Sequence, residues 1–105
     1  MINQVEPNFD SLESEYITSY FNSGGWATEN KVTKDFEQKI ASYVGMKFAV
    51  AVPSGTIALY LAVLSLNLKK SSRIAVPNIT MVATINAILW AGHNPVIVDT
   101  DEDMC

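Results

Sequence analysis

From Phe48 onward, short apolar runs alternate with helical stretches about a dozen residues long, and this alternation limits the possible folds more than any other feature. Phe48 to Val52 reads FAVAV, an unbroken apolar run of the kind a strand shows when both faces are covered, and Pro53-Ser54-Gly55 ends it. Thr56 to Leu68 then reads as a helix that is apolar on nearly every face. Arg73 to Val76 gives a second strand, Pro77 to Thr80 a turn, and Met81 to Ala91 another apolar helix. Gly92-His93-Asn94 stops that helix, and Pro95 to Asp99 gives a third strand. Strands joined through helices of this length call for right-handed parallel crossovers. The expected fold class is α/β, with a βαβαβ parallel-sheet unit over residues 46–105.

Residues 1–45 read as a helical segment. Asp10 followed by Glu13 is a capping-box pattern, and Leu12, Tyr16, Ile17, Tyr20 and Phe21 recur at helical spacing until Gly24 and Gly25. The polar stretch that follows carries Trp26 as its large apolar residue and reads either as a loop that pins one aromatic into a neighbouring surface or as a simple connector. A second amphipathic helix is expected from Thr33, as its cap, to Val44, with Val32, Phe36, Ile40 and Tyr43 on one face and Lys34, Asp35, Glu37 and Lys39 mostly toward water. Gly45 supplies a left-handed stop. No internal repeat, low-complexity tract or linker interrupts the chain.

Composition narrows the function. With 49% hydrophobic and 17% charged residues in 105, the chain is of the globular class. A net charge of −4 and seven scattered basic residues offer no surface for a phosphate backbone, so no nucleic-acid partner is expected. The single cysteine, Cys105, can form no internal bridge, and the opening MINQVEPNFD lacks the basic and apolar regions of a secretory signal. No run approaches the roughly 18 apolar residues of a membrane span. The reading is a soluble, cytoplasmic chain with no membrane association.

The chemistry-bearing candidates stand at strand-to-helix junctions. Ser54-Gly55-Thr56 puts small residues where the first helical N–H groups point outward with partial positive charge, a good seat for a phosphate. The same tripeptide is also an ordinary helix cap, and both readings stand on the residues alone. Thr80 lies at the next strand end, and in a parallel sheet those ends face one crevice, although Thr80 too reads as a helix cap. Asn86 falls inside an apolar helix and needs a polar partner or surface. Asp99, Asp101, Glu102 and Asp103 read as a solvated turn, so no metal is assigned, and His93 reads as a surface residue of a helix-to-strand turn.

Three stretches taken in order carry a resemblance: Gly45 to Leu59 with Pro53-Ser54-Gly55-Thr56, Val76 to Ile88 with Pro77-Asn-Ile-Thr80, and Ala91 to Asp99. Together with Gly25-Trp26 and Val32 to Glu37 they resemble the opening of the DegT/DnrJ-type sugar aminotransferases, over nearly the whole chain from about Asn22 to Asp103. The resemblance implies part of an aspartate-aminotransferase-like large domain of fold type I, a homodimer, and pyridoxal phosphate as cofactor. It implies amino transfer, usually from glutamate as donor, to a nucleotide-linked keto sugar.

Residue by residue, the resemblance places Ser54, Gly55 and Thr56 at the cofactor phosphate. It places Thr80 in the neighbouring turn and Met81 where the family commonly has an aromatic against the pyridine ring, a face that sulfur also packs on. The family's catalytic lysine and the aspartate that pairs with the pyridine nitrogen lie downstream of everything resembled. Lys31, Lys34, Lys39, Lys47, Lys69 and Lys70 match neither, so no catalytic residue is assigned and the 105 residues alone are expected to be inactive. The alternative reading is a non-catalytic interaction fragment that associates through apolar faces. A Rossmann-type nucleotide module is disfavoured, since Pro-Ser-Gly-Thr lacks the Gly-x-Gly-x-x-Gly spacing and no Walker lysine follows.

Overall fold

The computed structural model describes residues 5–26, 28 and 31–101. They form α1 (Ser11–Asn22), α2 (Lys31–Tyr43), α3 (Gly55–Ser65), β1 (Arg73–Pro77), α4 (Val82–Trp90) and β2 (Asn94–Val98). The chain divides into two compact units, Met1–Ala51 and Val52–Cys105.

In the first unit the expected capping box closes α1. The Leu12 N–H donates to Asp10 Oδ1 at 2.8 Å, and the Asp10 N–H donates to Glu13 Oε2 at 2.8 Å. Two of the amides that a helix start leaves unpaired are thereby satisfied. The chain leaves α1 through Gly24 at φ +74°, and the Tyr20 hydroxyl donates to the Trp26 carbonyl. Gly25 is required here, because a Cβ at this position would stand 2.3 Å from the Tyr20 ring. Trp26 itself is exposed rather than pinned against a neighbour within this unit.

The second helix differs from expectation at its start. It begins at Lys31, so Thr33 lies inside its first turn and is not its cap. It ends as the sequence indicates, with Gly45 at φ +69° and the Met46 N–H donating to the Ala41 carbonyl at 2.8 Å. Glu37 departs from the solvated face predicted for it. It is half-buried, and its Oε1 accepts the Ala51 N–H at 2.8 Å.

That bond bears on the largest correction. The run Phe48 to Val52 forms no strand among the described residues, and Phe48 and Val50 are 75% and 76% exposed. A strand exists only where a neighbour pairs its amides. Here one of those amides is taken by a carboxylate on α2, and the apolar run has no ladder among the described residues.

In the second unit the alternation holds. The strands β1 and β2 pair in parallel, with Arg73 opposite Asn94 and Pro77 opposite Val98. The helix α4 connects them, and β1, α4, β2 form one crossover unit. The buried apolar residues of this unit are Val76, Ala87 and Ile88, which sit where α4 covers the sheet. The third helix is shorter than predicted, ending at Ser65 with Leu66 as its C-cap rather than at Leu68. No residue of α3 is fully buried, and Leu59, Leu61 and Leu64 are each about 40% exposed, as its all-round apolar character implies for a helix with little to pack on. Its contact is α4, across which Tyr60 and Trp90 meet edge to face at 6.3 Å.

His93 corrects a further expectation. It is buried, 7% exposed, and its Nδ1 has no hydrogen-bond partner among the described residues. Gly92 at φ +78° turns the chain sharply out of α4, and the His93 N–H closes the turn on the Ile88 carbonyl at 3.1 Å. That left-handed turn directs the ring inward under the helix end instead of into solvent.

Candidate functional site: two helix N-termini of the Val52–Cys105 unit

The start of α3 follows directly from its residue types. Ser54 is extended, at φ −161° and ψ 159°, and its Oγ accepts the Ile57 N–H at 3.3 Å while its carbonyl accepts the Ala58 N–H at 3.0 Å. Those two bonds cap the third and fourth helical amides. The N–H groups of Gly55 and Thr56, the first two, find no acceptor among the described residues. A Cβ built on Gly55 would meet nothing within 4 Å, so the side of the helix start on which a side chain would project is open. Two free amides, the positive end of a helix and an adjacent Thr56 hydroxyl form a seat for a small anion.

The start of α4 is built differently. The N-cap is Met81, which supplies no side-chain cap hydrogen bond, so Thr80 is not the cap that the sequence suggests. Thr80 stands one residue further out, and its Oγ1 lies 3.0 Å from Thr84 Oγ1. The helix begins one residue late because Met81 still has extended geometry, at φ −66° and ψ 140°. At the other side of the turn the Asn78 N–H donates to the Val98 carbonyl at 2.8 Å, continuing the sheet pattern past Pro77. Met81 is 76% exposed. Asn86, one of the residues singled out on α4, is half-buried.

The start of α4 lies at the C-terminal end of β1. Parallel β1 and β2 require α4 to run against both of them. The connectors that follow α3 and α4 are joined to each other: the Ser71 N–H donates to the Gly92 carbonyl at 3.1 Å, the Asn94 N–H to the Ser72 carbonyl at 2.9 Å, and Asn94 Nδ2 to the Ser71 carbonyl at 2.9 Å. The N-terminus of α4, with Thr80 and Met81 before it, therefore lies at the end of the unit where β1 finishes at Pro77. That is where open α/β sheets bind ligands.

Among the described residues no group of three or more His, Cys, Asp or Glu could hold a metal ion, and no helix is long and apolar enough to cross a membrane. Asp99 accepts the Thr100 N–H at 3.0 Å, while Glu102, Asp103 and Cys105 lie outside the described residues. Sequence reasoning missed Thr84. Its signal, a threonine four residues after a threonine at a helix start, is visible in the sequence only once both are known to sit on one side of the turn.

A parallel crossover flanked by helices defines a class, the α/β proteins, and comparison with known proteins narrows it. The DegT/DnrJ/EryC1/StrS aminotransferase family matches over residues 7–105, and the chain belongs to that family. It is 32% identical over 98 residues to GDP-perosamine synthase of Escherichia coli O157:H7, covering 93% of this chain and 27% of that protein. Among solved structures it is similar to GDP-4-keto-6-deoxy-D-mannose-3-dehydratase of E. coli with bound hydrated pyridoxal phosphate, at a TM-score of 0.83 and 30% identity over 96% of this chain and 28% of that one. An aminotransferase from Psychrobacter cryohalolentis gives a TM-score of 0.82 at 27% identity, over 91% of this chain and 25% of that one. The chain thus spans about a quarter of the length of these relatives. Pyridoxal phosphate is the cofactor of full-length relatives, and the aspartate-aminotransferase-like α/β fold expected from the sequence is the fold these structures share with the chain.

Proposed function

We propose that residues 1–105 are part of the large domain of a pyridoxal-phosphate-dependent aminotransferase that moves an amino group, usually from glutamate, onto a nucleotide-linked keto sugar. The segment divides into a helical part, 1–45, and a sheet-forming part, 46–105, and contributes the phosphate seat of the site. The observation that carries this reading is the pair of amides at Gly55 and Thr56 that have no acceptor among the described residues, beside a Gly55 with open space where a Cβ would stand, in a family whose relatives bind pyridoxal phosphate.

The residues present fit such a cofactor. A phosphate dianion takes donors, and Gly55 N–H, Thr56 N–H and the Thr56 hydroxyl are donors at the positive end of α3. Ser54 holds that helix start in shape through its bond to Ile57, leaving the first amides unobstructed. Thr80 and Met81 would border the ring portion, Met81 offering a polarizable sulfur on an exposed side chain. When bound, the cofactor supplies the electron sink that amino-group transfer requires. These residues bind and orient; none of them is assigned a proton-transfer step. The proposed assembly is a cytoplasmic homodimer.

The exposed apolar faces of α3 favour one alternative, a non-catalytic fragment that associates through those faces. The two readings separate in one assay on the polypeptide of the complete reading frame. With glutamate and pyridoxal phosphate present, release of 2-oxoglutarate that depends on an added nucleotide-linked 4-keto sugar supports the aminotransferase. Release that ignores the sugar, or none at all, contradicts it.

A further inference from the structure

The hydroxyl pair at the start of α4 is the best-defined polar contact near the proposed site that no role yet accounts for. A threonine inside a helix ordinarily turns its Oγ1 back to the carbonyl four residues earlier, or to water. Thr84 instead lies 3.0 Å from a side chain, the Oγ1 of Thr80, which stands outside the helix beyond the Met81 cap. Met81 contributes no capping bond. Among the described residues the Thr80–Thr84 pair is therefore the side-chain tie between this turn and its helix. The opposite side of the turn is fastened independently by Asn78 to Val98. Thr84 is half-buried and Thr80 exposed, so the pair has an inner member and an outer, solvent-accessible one.

We infer that Thr84 is a positioning residue for Thr80: it holds the Thr80 hydroxyl in one orientation at the start of α4, so that this hydroxyl donates to an acceptor oxygen of the bound cofactor. The inference rests on the pyridoxal phosphate reading above and deepens it. Either hydroxyl can be the donor in the pair when it stands alone. An anionic, acceptor-rich ligand selects the arrangement in which Thr84 donates to Thr80 and the Thr80 proton points outward, because that chain presents a donor to the ligand and each bond polarises the next.

The test is a double-mutant cycle read by equilibrium binding of pyridoxal phosphate to the protein and its Thr80→Val, Thr84→Val and doubly substituted forms. Loss of one neutral hydrogen bond predicts about three- to tenfold weaker binding for Thr84→Val. The doubly substituted protein is expected to bind no more weakly than Thr80→Val, since Thr84 acts only through Thr80. Thr84→Ser, which restores the hydroxyl, should return affinity to within about twofold of the parent. A second readout needs no ligand: three-bond couplings report the Thr80 χ1 angle, which should be fixed in the parent and averaged in Thr84→Val, or in Thr84→Ala should valine fail to fold. Additive losses, parent-like binding by Thr84→Val, or an unchanged Thr80 rotamer overturns the inference while leaving the cofactor reading in place. Failure of the parent itself to bind pyridoxal phosphate removes both.

Discussion

Replacing Gly55 by alanine should move stability and ligand affinity in opposite directions. Gly55 is the first residue of α3, and its backbone is not in the left-handed region that would require glycine. A Cβ there would meet nothing within 4 Å. On the folded chain alone the substitution is therefore free of steric cost. It removes conformational entropy from the unfolded state, a stabilisation of about 0.4–1 kcal/mol. The same open space is where a phosphate must approach the Gly55 and Thr56 amides, and a methyl group in it pushes the anion away from at least one donor. One hydrogen bond to a charged group is worth about 1.5–3 kcal/mol, so affinity for pyridoxal phosphate should fall about ten- to hundredfold. Thermal unfolding without ligand, paired with calorimetric titration of pyridoxal phosphate, reads both quantities on one preparation. A variant that unfolds at lower temperature than the parent refutes the geometry at Gly55. A variant that is equally stable yet binds as tightly as the parent refutes the anion seat.

Glu13 gives a pH-dependent prediction. The Asp10 backbone N–H, followed by its own backbone amide and the Asp10 side chain, holds its carboxyl below the usual glutamate range. A lowered folded value means the capping box contributes fully above the unfolded value of about 4.3, and that contribution is lost as pH falls through the folded value. Amide protection factors at the start of α1, which correct for the intrinsic pH dependence of exchange, should therefore fall on acidification below that range in the parent, and should respond much less in Glu13→Gln. An equal acid response in both would contradict the assignment. His93 offers a stability test, because its buried Nδ1 has no partner among the described residues. An unpaired buried polar atom costs roughly 1–3 kcal/mol, so His93→Leu should be at least as stable as the parent by chemical denaturation. A loss of more than about 2 kcal/mol would mean the ring has a partner after all.

The sequence was most informative where the determining interactions are local. Asp10 with Glu13, and Ser54 before Gly55, act within a single turn, so the residues that identify a cap also form it. Gly45 and Gly92 stop their helices for the same local reason, both at positive φ. The fold class followed from the alternation after Phe48, because crossover geometry leaves few other arrangements. Non-local questions were beyond it. FAVAV over residues 48–52 has a strand's composition, but pairing depends on a distant neighbour, and here an amide of the run goes to Glu37. The inward turn of His93 depends on how the left-handed Gly92 directs the next side chain beneath α4, which no composition reveals. Thr80 has the residue type of a cap, because threonine at a helix start usually is one. Its engagement by Thr84 depends on Met81 being the residue that caps the helix.

The central claim, an anion held by the first two amides of α3, is tested most directly by residue-resolved amide NMR during titration with pyridoxal phosphate. Hydrogen bonding to a phosphate should shift the Gly55 and Thr56 amide protons downfield, together and saturably, and inorganic phosphate should compete for the same two signals. A ligand that binds while those two resonances stay in place would contradict the account.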